Sequence, residues 1–382
     1  MSKRGTARLG SLTNVRTGKR DAGESAADGA YPLFTCSREP LRIGSYSYDC
    51  ECVLVAGNGD LHVRYYNGKF DAYQRTYIVE AKEKSALHVP YLYHFLSQYV
   101  DRLRAQSVGG VIKYIKLGHL TEAEIPLPSI EEQRRIADVL GEAAELIALR
   151  SRQSEEWENL ARAAFYEMFG DPAFNEQGWE TAALGDVIVG TAQNGFFAKA
   201  GEYGSDGDAE VIWVNDVIDK RACEVEQLRR VNARPQDIEK FGVAFGDLLF
   251  CRSSLTKAGI GKCAYVPQEV RPRTLFDCHI IRARVDLRRA HPIFLQAQTM
   301  TEFFRSQLLR HAKTSTMTTI KREGIVTNTI ILPPLELQQR FADTIAEIEV
   351  QKRLVHRALE ETRRLYDSLA SRFFAAVAES NR

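Results

Sequence analysis

The sequence predicts an α+β protein in which two globular domains are separated by two long antiparallel helices that form an intramolecular coiled coil. Three observations lead to this prediction. A sixteen-residue segment, the repeated phrase, occurs twice in related form. Each copy lies at the start of a helical pattern of about forty residues. Segments with strand patterns precede each copy. The chain is therefore predicted to contain an internal pseudo-twofold repeat.

The repeated phrase covers residues 125–140 and recurs at residues 330–345, with eight of the sixteen positions identical. The two copies align without a gap at an offset of 205 from about residues 107–169 to residues 312–374. A duplication of this length predicts two copies of one module. The function is therefore expected to be bipartite.

Two segments have the heptad pattern of long helices, with apolar positions at spacings of four and three. The first runs from about Ser129 to Phe169, and Ser129 with Glu132 resembles a capping box. The second runs from about Leu335 to Ala378. The first seam consists of Ile136, Leu140, Ala143, Ile147, Arg150, Ser154, Trp157, Ala161, Ala164 and Met168. The second consists of Phe341, Ile345, Ile348, Lys352, Val355, Leu359, Thr362, Tyr366, Leu369 and Phe373.

A forty-residue helix is about 60 Å long and cannot bury its apolar stripe alone. Two matched seams in one chain favour pairing with each other, and dimerisation through a single helix is the alternative. The predicted boundaries are a first globular domain at 1–128, a first helix at 129–170, a second globular domain at 171–334 and a second helix at 335–382.

The globular segments contain short strand patterns separated by glycine and asparagine turns. Short helices are predicted at about Val89–Arg104 and Pro292–Leu309. Both segments open similarly, with Ala7–Leu12 resembling Ala183–Val187. The aromatic residues of Tyr91–Phe95 have helical spacing, which predicts that they belong to a core.

The composition restricts the class of protein without identifying it. The net charge is +1, from 51 basic and 50 acidic residues, which argues against indiscriminate coating of nucleic acid but allows local basic patches. No apolar run is long enough to span a bilayer, and seven cysteines without a signal pattern favour the reducing cytoplasm. The cysteine spacing predicts no metal site.

No catalytic motif is found. The sequence lacks P-loop, dinucleotide-binding, zinc-protease, serine-hydrolase and amino-methyltransferase signatures. Asp71, Glu80 and Lys82 faintly resemble a metal-dependent nuclease core, so a stand-alone nuclease is one alternative function. A coiled-coil scaffold that does not bind DNA is a second alternative.

Polar and cationic loops in the globular domains are the candidate contacts with DNA. Arginine, lysine and asparagine suit base edges, whereas serine, threonine and glycine amides suit phosphates. The candidates are Lys19, Arg20, Asn58, Arg64, Lys69, Arg75, Arg252, Ser253, Lys257, Lys262, Lys313, Thr314 and Ser315.

The phrase Ile125-Pro-Leu-Pro-Ser-Ile-Glu-Glu-Gln-Arg-Arg-Ile-Ala137 resembles the junction motif of the specificity subunits of type I restriction–modification enzymes. The second copy, residues 331–342, resembles it equally well. Leu184-Gly-Asp-Val187 and Phe245–Arg252 are similar to motifs of that family's recognition domains. The resemblance covers nearly the whole chain.

This resemblance implies a non-catalytic subunit whose two target-recognition domains each read one half of a split DNA target. The helices would act as a ruler of about 50–60 Å that fixes the unread spacer. Two modification subunits would carry S-adenosylmethionine and methylate adenine, and restriction subunits using ATP and Mg would join them. The chain itself would hold no cofactor. Because the loops of the two domains differ, the target would be asymmetric.

The junction motif also suggests residues that position each domain on its helix or contact a partner. These residues are Gln133, Arg135, Gln338 and Arg340.

Overall fold

The computed structural model describes residues 5–109, 113–314 and 317–374. The chain divides into two compact units, Met1–Gln153 with Val355–Arg382 and Ser154–Leu354. Each unit contains part of both long helices, since these helices span Ile130–Phe169 and Leu335–Phe374. The compact units therefore do not end where the helices begin.

The first unit is built around one six-stranded sheet. Its elements are β1 (Thr6–Arg8), α1 (Leu9–Leu12), β2 (Thr13–Thr17), β3 (Tyr31–Phe34), β4 (Leu41–Ile43), β5 (Tyr48–Ala56), β6 (Val63–Ala72), β7 (Thr76–Ala81), α2 (Val89–Gln106), α3 (Leu117–Thr121), β8 (Glu124–Pro126) and the start of α4 (Ile130–Phe169). A 3-10 turn covers Ala22–Glu24. The strand order is β2-β7-β5-β6-β3-β4, with β3 and β6 parallel and the other pairs antiparallel.

The central strand β5 shows why the sequence forms this sheet. Its side chains alternate between the two faces. Val53 and Val55 pack in the core that contains α2, whereas Cys52 and Leu54 pack with Phe70 in a smaller core. The continuous apolar run is therefore buried on both sides.

The described residues of the second unit form four smaller sheets. Its strands and helices are β9 (Glu180–Ala183), β10 (Gln193–Asn194), β11 (Ala209–Ile212), β12 (Arg229–Val231), α5 (Pro235–Phe241), β13 (Leu248–Cys251), β14 (Ser253–Ser254), β15 (Cys263–Tyr265), β16 (Thr274–Phe276), β17 (Ile280–Ala283), α6 (Pro292–Thr299), α7 (Glu302–Arg310), β18 (Lys313–Thr314), β19 (Thr318–Thr319), α8 (Glu323–Val326), β20 (Thr329–Leu332) and the start of α9 (Leu335–Phe374). Short 3-10 turns cover Leu184–Val187, Ala200–Glu202 and Val214–Asp216. The sheet orders are β10-β17-β13-β15, β12-β11-β16, β14-β19-β18 and the two-stranded β20-β9.

One predicted helix is divided in the structure. The segment expected to be helical from Pro292 to Leu309 forms α6 and α7 instead. Thr301 starts α7 because its hydroxyl accepts a hydrogen bond from the Phe304 N–H at 3.4 Å. A threonine in this capping position opens a new helix.

In both units, one antiparallel pair of strands lies beside the junction with the long helix. We call this strand pair the frame. Strand β1 pairs with β8 in the first unit, and β9 pairs with β20 in the second, both antiparallel. A glycine lies beside each pair, Gly10 in α1 and Gly185 in a 3-10 turn. A Cβ on Gly10 would lie 2.9 Å from the Thr121 Cβ, and one on Gly185 would lie 3.2 Å from the Val326 carbonyl oxygen. The structure therefore confirms that the repeat encodes one module twice.

Segments of α4 and α9 pack on each other antiparallel within each unit. In the first unit, Ile136 and Leu140 share a core with Ala370 and Phe374. In the second, the core contains Phe165, Phe169, Phe341 and Ile345. Intramolecular pairing of the two helices is therefore confirmed.

The buried stripe shifts near the carboxyl end of each helix. The predicted positions Met168 and Phe373 are only half-buried, whereas Phe169 and Phe374 are buried. Phe169 packs on Phe294 of α6 at a ring-centroid distance of 4.8 Å. Phe169 also lies 5.5 Å from the Phe341 ring of α9, so the globular core there packs on the stripe beside the partner helix, and a straight helix drifts away from a strict heptad.

Three of the polar residues that interrupt the seams, Arg150, Lys352 and Thr362, bind groups on the facing helix. In the first unit, the Arg150 guanidinium donates hydrogen bonds to the Thr362 hydroxyl and, at 2.5 Å, to the Ala358 carbonyl. In the second, the Lys352 ammonium lies 2.6 Å from Glu158. These three interruptions therefore form cross-helix contacts.

The aromatic segment of α2 is part of the core, as its spacing predicts. Tyr91 and Phe95 are buried, and His94 lies 3.1 Å from the Tyr366 hydroxyl. Within the described residues, no helix combines the length and apolarity needed to cross a membrane.

Candidate functional site

In the second unit, several predicted DNA contacts lie where β13 ends and β17 begins. The Arg252 N–H donates to the His279 carbonyl at 2.8 Å, and its guanidinium donates to the Cys278 carbonyl at 3.1 Å. Ser253 Oγ lies 2.6 Å from Nδ1 of His279. The structure thus brings Arg252 and Ser253 together against the turn that precedes β17.

The three-stranded sheet β14-β19-β18 extends this group. Ser253 is in register with Thr319, which is in register with Lys313. Lys313 and Thr314 are exposed, and the Thr314 and Thr318 hydroxyls lie 3.1 Å apart. Neighbouring strands lie about 5 Å apart, so Lys313 is about 10 Å from Ser253 along this row. Ser315 lies outside the described residues.

The loop between β14 and β15 carries the remaining candidates of the second unit. Lys257 is exposed, whereas the Lys262 ammonium forms an ion pair with Asp219. Arg305 of α7 holds this loop by donating to the carbonyls of Ile260 at 2.6 Å and Ala258 at 3.1 Å. Burial lowers the pKa of Arg305. Lys257 is therefore presented by an anchored loop.

In the first unit, loops from three strands meet at one end of the sheet. The Gly18 N–H donates to the Thr76 carbonyl at 3.0 Å, and the Gly57 N–H donates to the Arg75 carbonyl at 2.9 Å. Lys19 and Arg75 are exposed there, and Asn58 is half-buried. A cleft of about 280 Å³ opens among Thr17, Gly57, Gln74, Arg75, Tyr77 and Ile115.

Arg20 is also in this region, but its guanidinium is occupied. It donates to Asp71 at 2.9 Å, to Glu24 at 3.0 Å and to the Ser45 hydroxyl at 3.2 Å. The hydrogen bond to the Asp71 carboxylate is the main cause that raises the pKa of Arg20. Arg20 thus fixes the loop beside the exposed Lys19.

Two candidates on β6 lie on opposite faces of the sheet because five positions separate them. Arg64 donates to the Arg38 carbonyl and lies over the Phe34 ring at 5.6 Å. Lys69 is exposed and lies 4.9 Å from the Tyr46 ring centroid. A hydrogen bond with the Tyr46 hydroxyl raises the pKa of Lys69. The structure therefore does not bring Arg64 and Lys69 to one surface.

The predicted junction glutamines make matching contacts. Gln133 is buried, accepts from the His88 N–H at 3.0 Å, and donates to the carbonyls of Ala86 and Pro128, each at 3.0 Å. Its counterpart Gln338 is also buried.

Gln338 accepts from the His291 N–H at 2.8 Å and donates to the Pro333 carbonyl at 2.7 Å. Arg135 and Arg340 are exposed, and Arg135 pairs with Glu132 at 2.7 Å. The glutamines thus bind each long helix to its globular domain, while the arginines face solvent.

The three residues of the nuclease alternative have separate partners. Asp71 pairs with Arg20, and Glu80 pairs with Arg16 at 2.5 Å. The Lys82 ammonium donates to the carbonyls of Gly10 and Ser11 at 2.9 and 3.2 Å. This arrangement gives the nuclease alternative no support.

Sequence reasoning missed two residues that organise the second unit's site, His279 and Arg305. Neither lies in a motif or at a characteristic spacing. Both act by binding backbone or side chains that are distant in sequence, so only the fold reveals them.

Comparisons with known proteins point to the same family that the repeated phrase resembles. Residues 1–159 match the family described as "Type I restriction modification DNA specificity domain". The type I restriction enzyme EcoDI specificity subunit of Escherichia coli is 39% identical over 135 residues, which cover 35% of this chain and 30% of that protein. The MjaVIII specificity subunit of Methanocaldococcus jannaschii is 21% identical over 369 residues, covering 90% and 85%.

A crystal structure of the S subunit of a type I restriction–modification system from M. genitalium shares the fold. Its TM-score is 0.61 at 15% identity, covering 97% of this chain and 96% of that one. The predicted fold class and the resemblance to type I specificity subunits are therefore confirmed.

Proposed function

We propose that this chain, whose residues 1–159 match the type I restriction modification DNA specificity domain, is the non-catalytic DNA specificity subunit of such a system. Each unit reads one half of an asymmetric bipartite target, and the long helices set the number of unread base pairs between the halves. Modification subunits supply S-adenosylmethionine and adenine methylation. Restriction subunits supply ATP- and Mg-dependent cleavage in the cytoplasmic complex.

One observation carries this proposal: two copies of one frame present different cationic loops. The frame is the strand pair beside each junction, β1 with β8 and β9 with β20. The first unit exposes Lys19 and Arg75 at one end of its sheet, and the second exposes Lys257 and Lys313. Exposed cations suit phosphates, and the neighbouring polar groups suit base edges. A common frame with different loops supports the reading of two different half-sites.

Exposed leucines on the long helices support two equivalent protein partners. The offset of 205 relates Leu149 to Leu354 and Leu160 to Leu365, and all four are 48–55% exposed. Leu149 and Leu365 belong to the first unit, while Leu160 and Leu354 belong to the second. The repeat thus places one pair of exposed leucines on the long helices in each unit. We assign these leucines to contacts with two modification subunits.

The test is to co-express the chain with its modification subunit and map methyladenine in host DNA by long-read sequencing. The intact chain should give one split, asymmetric motif. The double variant Lys257→Ala/Lys313→Ala should lower the extent of methylation, and any position of the motif that it relaxes should fall in one half. The variant Lys19→Ala/Arg75→Ala should relax positions only in the other half.

Two matched variants separate DNA reading from assembly. Leu149→Glu/Leu354→Glu should stay folded and retain DNA but fail to co-purify with the modification subunit. Arg288→Ala removes an exposed cation beyond the opposite end of β17 and should leave the motif unchanged. Methylation that does not depend on this chain would refute the proposal, as would one motif half responding to the variants of both units.

A further inference from the structure

The turn between β16 and β17 carries three metal-ligand residue types in consecutive positions, Asp277, Cys278 and His279. One carboxylate oxygen, the thiol sulfur and one imidazole nitrogen all lie within 4.8 Å of one another. Cys278 is half-buried and His279 is exposed, so both side chains have room to rotate. The cluster adjoins the predicted DNA contacts Arg252 and Ser253, but none of its three side chains is itself a predicted DNA contact.

The burial of Asp277 is a second indication of a cation-binding site. Asp277 is 3% exposed, and its carboxylate accepts hydrogen bonds from the His279 N–H at 2.8 Å and from the Tyr203 hydroxyl at 3.5 Å. It takes part in none of the ion pairs found among the described residues. The other buried aspartates there all pair with an arginine: Asp71, Asp237 and Asp247. A buried carboxylate is costly unless its charge is balanced.

We propose that Asp277, Cys278 and His279 bind one zinc-type transition-metal ion. Thiolate, imidazole and carboxylate are the ligands that Zn²⁺ takes in proteins, and a hard cation such as Mg²⁺ disfavours thiolate. Zinc–ligand bonds of about 2.0–2.3 Å put tetrahedral ligand atoms about 3.5 Å apart. The three donors therefore need to move inward by only about 1 Å. The fourth position is left for water.

Metal binding has a proton balance that can be measured. The Cys278 sulfur binds a metal as a thiolate, so the thiol proton must leave on binding. Forming the metal–sulfur bond replaces this proton, and one H⁺ is released to solvent. The divalent charge then balances the buried Asp277 carboxylate.

The site would also fix the loops that carry predicted DNA contacts. The Arg252 guanidinium bonds the Cys278 carbonyl, and Ser253 bonds the His279 ring. Partners of this kind orient metal-ligating histidines. This consequence for DNA rests on the proposed function, whereas metal binding itself does not.

The test titrates the chelator-treated full chain with Co²⁺ as a spectroscopic probe. We expect about one equivalent to bind, with the near-ultraviolet absorption of a sulfur–cobalt bond and displacement by Zn²⁺. Cys278→Ser should abolish that absorption, and His279→Ala should weaken binding at least tenfold. Neither residue is fully buried, so both variants are expected to fold.

Cys36→Ser is the matched control, because Cys36 is another half-buried thiol and lies in the first unit. It should titrate like the unmodified chain. Circular dichroism of the metal-free variants checks folding. Absence of the sulfur–cobalt absorption in the unmodified chain would overturn the proposal. A Cys278→Ser titration identical to the unmodified one would also overturn it. DNA retention, measured separately, tests the proposed function whatever the metal result.

Discussion

Gln133 Oε1 accepts a hydrogen bond from the backbone N–H of His88 at 3.0 Å. Gln338 and His291 repeat this contact at 2.8 Å in the second unit. In both cases the histidine precedes a helix of the globular domain, and the glutamine lies in the first turn of a long helix. The glutamine thus satisfies an otherwise unpaired N–H at the start of a helix. In each unit, one buried side-chain amide therefore links the globular domain to the long helix.

Replacing Gln338 with leucine should destabilise the second unit by about 2–4 kcal/mol. The substitution leaves the His291 N–H and the Pro333 carbonyl without their partner, and each buried unsatisfied group costs about 1–3 kcal/mol. All three tryptophans, Trp157, Trp179 and Trp213, belong to this unit. Urea unfolding followed by tryptophan fluorescence therefore reports on it directly.

Gln339→Leu provides the control on the same helical turn. Its amide is exposed and bonds Asp343 at 2.9 Å. Its loss should change the free energy of unfolding by less than about 0.5 kcal/mol. Equal midpoints for Gln338→Leu and Gln339→Leu would contradict a structural role for the buried amide.

Arg221→Met should destabilise the second unit by about 1–3 kcal/mol. The guanidinium lies 2.9 Å from Glu158 on α4 and 3.1 Å from Glu349 on α9, and its side chain is 11% exposed. Its removal leaves both carboxylates to share the single ammonium of Lys352. Loss of a charge from a partly buried network costs more than loss of a surface pair.

The surface pair of Lys220 with Glu224 supplies the comparison. Lys220→Met should cost less than about 0.5 kcal/mol. Raising the salt concentration should reduce the destabilisation caused by Arg221→Met only in part, because salt screens partly buried charges less than fully exposed ones. An Arg221→Met chain as stable as the unmodified one would show that the network contributes no net stability.

Stability of the first unit should fall as the pH drops from about 6.5 toward 4 because of His94. Burial lowers the pKa of His94 to about 4. The unfolded chain, with a histidine pKa of about 6.5, binds this proton first, so acid favours unfolding across that window. A pKa shift of this size lowers the free energy of unfolding by about 3 kcal/mol once the pH has fallen below the folded-state pKa.

The variant His94→Gln removes the titrating group, and its amide can still reach the Tyr366 hydroxyl. Unfolding by urea, followed by far-ultraviolet circular dichroism at several pH values, should give a shallower pH dependence for this variant. His356→Gln, at an exposed position, should keep the slope of the unmodified chain. Identical slopes for all three chains would assign the acid sensitivity to other groups.

The sequence predicted the elements that depend on local pattern. The start of the first helix, expected at Ser129, lies beside Ile130, and the Ser129 hydroxyl accepts from the Glu132 N–H at 3.3 Å. Periodicity failed near Phe169 and Phe374, because it considers only a partner helix, whereas the globular core also packs on these positions. A heptad pattern contains no information about that change of neighbour.

The candidate site was predictable only in part for a related reason. Lys257 and Lys313 were found by residue type and loop position, and both are exposed. Nothing local distinguishes Lys262, whose partner Asp219 lies 43 residues earlier. The junction glutamines were found through the repeat, but their acceptor and donor groups come from backbone that only the fold brings close.

Lys257→Ala should weaken binding to DNA of any sequence and make its salt dependence less steep. Lys257 is exposed on a loop held by Arg305, which fits a phosphate contact. Loss of one such contact should reduce the magnitude of the slope of log K against log salt concentration by about 0.9. Arg288→Ala, beyond the opposite end of β17, should leave this slope unchanged. Fluorescence anisotropy with target and scrambled duplexes measures both quantities. Since a phosphate contact carries no sequence information, the ratio of the two affinities should stay constant. A selective loss on the target duplex alone would instead assign Lys257 to a base edge.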